Sequence, residues 1–60
     1  MNRTESLLRE ALGKRELAKA MRQAAPGMSV AADGHKLVTH AEELEREAEA
    51  LERQAASATP

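Results

Sequence analysis

The sequence predicts an all-α fold, an antiparallel hairpin of two helices spanning about residues 3–25 and 30–57. Leucine recurs at positions 37, 44 and 51, and alanine at 41, 48 and 55, so each recurs at intervals of one heptad. Such a repeat on strong helix formers is typical of a helix packed along its length against another helix. Pro26-Gly27 separates this segment from an upstream segment of similar composition, which is its predicted partner.

The composition favours self-association. The chain has 60 residues and contains no Cys, Phe, Tyr or Trp. We treat residues 1–60 as a single helical-hairpin domain and expect 56–60 to be a frayed C-terminal tail. A core of this size rarely supplies more than about 3–5 kcal/mol of net stability, and disulfides are excluded here. A second subunit is the remaining way to enlarge the core, so we expect a homodimer.

The charge distribution indicates that the two halves of the chain attract each other. The net charge is −1, but residues 1–25 carry six Lys or Arg and three Glu, whereas the rest carries seven Asp or Glu and three Lys or Arg. No global field recruits nucleic acid or membrane. No apolar run reaches the length of a signal-peptide core or a membrane span, so we expect a cytoplasmic protein that does not bind membranes.

The first helix has a clear start and one weak point. Asn2 is placed to cap the helix, and the carboxylate of Glu5 favours its first turn. Residues 3–25 are rich in Ala, Leu, Glu, Lys and Arg. Gly13 costs about 1 kcal/mol relative to alanine in a helix, and we interpret it as a point of close backbone approach.

Two starts are open for the second helix. Capping by Ser29 implies a tight turn, and capping by Asp33 implies a longer loop with Gly34 just inside the helix. Ser29 is favoured because the heptad pattern continues backward to Val30 and because helix–helix loops are usually short.

The apolar residues facing the partner helix form a seam. Folding the chain about residues 27–28 pairs a larger with a smaller residue in each layer, as interdigitated helices require. The predicted pairs are Ala25/Val30, Met21/Gly34, Ala18/Leu37, Lys14/Ala41, Ala11/Leu44, Leu7/Ala48 and Thr4/Leu51.

Further apolar residues flank this seam. Leu17 and Ala24 lie on one side, and the richer side carries Leu8, Leu12 and Val38. Two hairpins that bury the richer flank would form a four-helix bundle. Basic side chains on the first helix and acidic ones on the second are predicted to pair there between subunits. The sequence leaves open whether the two hairpins run parallel or antiparallel. This predicted interface, the leucine flank, consists of Leu8, Leu12, Arg15, Arg22, Val38, Glu45 and Glu52.

We expect no enzyme activity, catalytic residue, cofactor or metal. His40 with Glu43 or Glu47 resembles part of a bundle metal site, but those sites repeat a Glu-x-x-His order that is reversed here. Lys14 lies in the seam, and we interpret it as a lysine whose stem packs while its amine reaches water near Glu10. A register-setting or functional amine is the alternative interpretation.

A basic stripe on the first helix provides a second functional hypothesis. Arg15, Lys19 and Arg22 are spaced so that they share one helix face, which is suited to phosphate contacts. The stripe lacks the interleaved aromatic residues on which bases stack. An ion-pairing face is therefore the preferred interpretation.

Two resemblances to known families accompany these patterns. Leu7-x-x-x-Ala11-x-x-Lys14-Arg15-x-Leu17-Ala18 and Leu37-x-x-x-Ala41-x-x-Leu44-x-Arg46-x-Ala48-Glu49 resemble short bacterial helical-hairpin proteins of unknown function from alphaproteobacteria. That family typically has aromatic residues where Leu7 and Leu44 stand and cysteine where Lys14 stands, and the resemblance implies no activity. The segment His40-Ala41-Glu42-Glu43-Leu44-Glu45-Arg46 is similar to the second helix of the Rop family of plasmid copy-number regulators, which are hairpin dimers that bind RNA. The Asn, Phe, Gln and Lys pattern behind that family's RNA contacts is not reproduced, so this resemblance implies shared architecture.

These observations predict a non-enzymatic bacterial interaction or adaptor module that self-associates through helix packing. The alternative is a Rop-like nucleic-acid-binding regulator that uses the basic first helix. A third reading is a module whose exposed flank docks a helix of a larger protein partner.

Overall fold

A computed structural model of the chain describes residues 2–58 and consists of two packed helices. Helix α1 spans Arg3–Ala24 and helix α2 spans Ala31–Ala58, with a 3-10 turn at Ala25–Gly27 between them. The helices lie antiparallel along their length, and the described chain measures 48 × 16 × 9 Å. The predicted all-α hairpin is confirmed.

The start of α1 is capped as predicted. The side-chain oxygen of Asn2 accepts a hydrogen bond of 2.7 Å from the backbone amide of Glu5, and the Asn2 carbonyl accepts one of 3.1 Å from the Ser6 amide. These bonds satisfy amides that have no partner within the helix.

The connection uses a 3-10 turn followed by extended chain. Pro26 lies in the first turn of this 3-10 segment, and the Met28 amide donates a bond of 3.2 Å to the Ala25 carbonyl. The Val30 carbonyl then accepts from the amides of Asp33, at 3.0 Å, and Gly34, at 3.3 Å. Helix α2 begins at Ala31. This is one residue after the start that capping by Ser29 predicts, and three residues before the start that capping by Asp33 predicts.

Helix α2 continues through Ala58. It therefore includes residues 56–58, the first part of the segment predicted to be a frayed tail. The remaining residues of that prediction, 59 and 60, lie outside the described residues.

The predicted seam is confirmed almost completely. Between residues 2 and 25, the residues that are not exposed are the predicted ones, namely Thr4, Leu7, Ala11, Lys14, Ala18, Met21 and Ala25. On the second helix the predicted seam is also shielded, apart from Val30, which is exposed because it precedes the helix. The fully shielded positions are small: five alanines are at most 2% exposed, and they are Ala11, Ala18, Ala41, Ala48 and Ala55.

The predicted layer-by-layer register was wrong by four residues. Gly34 lies against the backbone of Ala25, the position assigned to Val30, and Ala18 shares a buried cluster with Ala41, the layer assigned to Leu37. The cause is the connection. Residues 25–30 belong to neither α-helix, so the point at which the chain reverses direction lies further toward the C-terminus than predicted. Small residues consequently face small residues, and larger ones fill the layers between them.

The two helical glycines have different surroundings. A Cβ atom built on Gly34 would lie 2.8 Å from the Ala25 carbonyl oxygen, so the first turn of α2 approaches the 3-10 turn more closely than any side chain allows. A Cβ atom on Gly13 would meet no atom within 4 Å. The interpretation of Gly13 as a point of close approach was therefore wrong, and Gly34 has that role.

Candidate interaction surface

Two bidentate ion pairs cross the leucine flank. The Arg15 guanidinium donates from Nε and Nη2 to the two carboxylate oxygens of Glu52, both at 2.7 Å. Arg22 donates in the same way to Glu45, at 2.7 and 2.8 Å. The four side chains that were expected to pair between subunits thus pair within one chain, because the antiparallel register brings the two heptad rows together.

These pairs shift the pKa values of their members in the expected directions. The hydrogen bond from Arg22 lowers the pKa of the Glu45 carboxyl, and the bond from Arg15 lowers the pKa of Glu52. The same bonds raise the pKa of both guanidinium groups, so all four groups are charged at neutral pH. The flank is a fixed pattern of charges held on two helices.

The large apolar residues of this flank face solvent. Leu8 precedes Arg15 by one heptad, and Leu12 lies one turn further on, so both lie on the side of the ion pairs. Leu8 is 48% exposed and Leu12 is 59% exposed. Val38, one heptad before Glu45, is half-buried. The predicted interface residues therefore lie on one side of the hairpin, with both leucines available for contact.

The opposite flank has a similar leucine and a different ion pair. Leu17 is 49% exposed. The Lys14 ammonium donates to Glu47 at 2.7 Å, and this hydrogen bond raises the pKa of Lys14 and lowers that of Glu47. Lys14 is half-buried, as expected of a packed stem, but its partner is Glu47 on the facing helix, with Glu10 adding only a weaker electrostatic effect.

Of the predicted pairs of His40 with Glu43 and with Glu47, only the first shows a contact, and it is long. His40 Nδ1 lies 3.8 Å from a carboxylate oxygen of Glu43, and Glu47 is engaged by Lys14. Within residues 2–58, no three His, Cys, Asp or Glu side chains are grouped so that they could hold a metal ion.

An open depression of about 580 Å³ lies at the end of the hairpin away from the connection, between the start of α1 and the last turns of α2. It is wide open and shares no residue with the leucine flank. Its lining consists of Arg3, Ala50, Arg53, Gln54, Ser57 and Ala58.

The basic stripe is only partly free. Arg15 and Arg22 are each occupied by a carboxylate from α2. Lys19 is exposed and forms no ion pair with any other residue in the described range. A polyanion would therefore meet one free cation and two that already have acidic partners.

Comparison with protein-family models, with curated proteins and with solved structures finds no match to this chain. Neither described helix is both long enough and apolar enough to cross a membrane.

Proposed function

We propose that this chain is a non-enzymatic interaction module of the cytoplasm that self-associates as a homodimer through the leucine flank. The observation that carries the proposal is the exposure of Leu8 and Leu12 beside preformed ion pairs. The most fully shielded positions of the seam are alanines, which bury little apolar area per residue. Burying the flank against a second hairpin would add the larger side chains to the core.

The preformed ion pairs make this flank suitable for burial. Leaving one charge of a buried pair without its partner costs several kcal/mol, whereas both members are supplied here by the same chain. A second hairpin docking on the flank therefore covers Arg15 with Glu52 and Arg22 with Glu45 already in place.

The ion pairs of Arg15 and Arg22 weaken the case for nucleic-acid binding. Phosphate binding gains from cations that release counterions, and two of the three predicted contacts already have carboxylate partners. Strong, salt-dependent retention on an immobilised RNA column would favour that alternative over self-association.

The test compares leucines on opposite flanks by sedimentation equilibrium. The double variant Leu8→Ser/Leu12→Ser should raise the dimer dissociation constant at least about a hundredfold, because four leucines per dimer lose their contacts. Leu17→Ser is the matched control, since it removes an equally exposed leucine from the opposite flank of the same helix.

Equal weakening by both variants would overturn the assignment of the leucine flank. Circular dichroism at each concentration separates loss of association from loss of helix. An isolated wild-type chain that is largely unfolded would instead favour a module that needs a larger protein partner to fold.

A further inference from the structure

Together with the residues that border it, the leucine flank is divided lengthwise into a basic half and an acidic half. Helix α1 contributes Arg15, Lys19 and Arg22. Helix α2 contributes four carboxylates at heptad-related positions, namely Glu42, Glu45, Glu49 and Glu52. Lys19 and Glu42 lie toward the outer edges of the flank, four residues from Arg15 and Val38 respectively.

Two symmetric arrangements would bury this flank against a second copy. With the two-fold axis parallel to the helices, α1 lies over the partner's α2 and both connections lie at the same end. With the axis across the helices, α1 lies over the partner's α1 and the connections lie at opposite ends. The first arrangement brings opposite charges together, and the second brings like charges together.

We propose that two copies associate with the axis parallel to the helices, so that each α1 contacts the partner's α2. This inference rests on the proposed self-association and specifies its geometry. Charge complementarity favours it over the part of the flank from Arg15 to Arg22, whereas a stack of α1 on α1 opposes cations to cations.

The positions of the leucines favour the same arrangement. Leu8 and Leu12 lie in the half of α1 away from the connection. With the axis parallel to the helices, the leucines of both copies lie in the same half of the dimer, each against the partner's α2. In a fully overlapped stack of α1 on α1 centred on Arg15, Leu8 would instead lie opposite the partner's Arg22.

A specific contact between copies follows from the register. Ala18 and Ala41 share a buried cluster, so the adjoining residues Lys19 and Glu42 lie within one helical turn of each other along the two helices. Neither forms an ion pair with another residue of the described chain. In the proposed dimer, Lys19 of each copy pairs with Glu42 of the other.

The ion pairs already formed fit this arrangement as well. Each guanidinium uses Nε and Nη2 within its own chain and retains N–H groups on Nη1. Each carboxylate oxygen retains acceptor capacity. Around the proposed axis, Arg15 and Glu52 of the two copies alternate in charge, so that each arginine has a carboxylate on both sides.

The orientation is measured with one spin label per chain. Ser29→Cys supplies the only cysteine of the chain, at an exposed position in the connection. Connections at the same end should place the two labels within about 30 Å, given interaxial spacings of 8–10 Å plus the label arms. Opposite ends would separate them by nearly the 48 Å length of the hairpin.

The outcomes of this measurement are distinguishable. A short distance supports the proposed orientation. A long distance overturns it while leaving self-association intact, and the absence of dipolar coupling at concentrations well above micromolar overturns self-association itself.

Charge reversal provides an independent test of the same contact. Lys19→Glu and Glu42→Lys should each weaken the dimer by about fivefold or more, and the double variant should restore it, because two symmetric pairs are lost and regained. Arg9→Glu, an equivalent reversal on an exposed position of α1, should leave association nearly unchanged. Stronger association of Lys19→Glu, or no change, would overturn the proposal.

Discussion

The seam and the leucine flank use apolar residues of different sizes for different purposes. The alanines of the seam are almost completely shielded, whereas Leu8, Leu12 and Leu17 on the outer faces keep about half of their surface exposed. Small residues inside let the two helices pack closely, and Gly34 lets the first turn of α2 contact the backbone of Ala25 in the connection. The seam thus depends on close approach, and the flank holds apolar area that the seam does not use.

This difference indicates which surface a second subunit would bury. A hairpin that leaves several leucines about half exposed has apolar area that a further partner can bury. Variants that enlarge the small residues of the seam should act on folding, whereas variants of the leucine flank should act on association.

The largest expected effect comes from enlarging the seam. Ala41→Leu should destabilise the fold by about 2–3 kcal/mol, because Ala41 is fully shielded and the extra side chain has no room. Urea unfolding followed by circular dichroism measures this change. Ala20→Leu, at an exposed position of α1, should stay within about 0.5 kcal/mol of the wild type. Similar losses in both variants would contradict the role of close approach.

Replacing each helical glycine by alanine should have effects of opposite sign. Gly34→Ala should cost about 1 kcal/mol, because the clash with the Ala25 carbonyl outweighs the gain in helix propensity. Gly13→Ala should stabilise by about 0.5–1 kcal/mol, because nothing opposes that gain. Thermal unfolding of the two variants at one chain concentration checks the signs, and stabilisation by Gly34→Ala would refute the tight contact.

The smallest effect is the acid sensitivity of the ion pairs. The pKa values of Glu45, Glu47 and Glu52 are lowered from their ordinary value of 4.5. The stability from these pairs is therefore fully present above pH 4.5 and is lost as the pH falls through the lower folded-state pKa values.

Melting temperatures between pH 7 and pH 2.5 measure this loss. The double variant Glu45→Gln/Glu52→Gln should show a weaker acid dependence than the wild type. An unchanged acid dependence in that variant would mean that these pairs do not contribute.

The sequence predicted which residues face the seam, but it did not predict how the two helices align. Residues 4, 7, 11, 14, 18, 21 and 25 follow from heptad spacing, which is local. The register depends on the path of the connection, where a 3-10 turn and the extended Met28 shift the facing residue from Val30 to Gly34. Hydrophobic periodicity carries no information on that path.

The ion pairs across the leucine flank show the same limitation. Residues Arg15 and Arg22 are one heptad apart, as are Glu45 and Glu52, and this matched spacing is compatible with pairing within or between chains. The choice depends on the register, which brings each arginine to a carboxylate of its own chain. With a corrected register, both pairs would have been predictable from the spacing.

Self-association is tested most directly by the mass of the wild-type chain in sedimentation equilibrium, with helicity recorded on the same samples. Exposed leucines on a preorganised flank predict a fully helical species of twice the 6.5 kDa chain mass at micromolar concentration. A fully helical species of 6.5 kDa over the whole concentration range would contradict the proposed dimer.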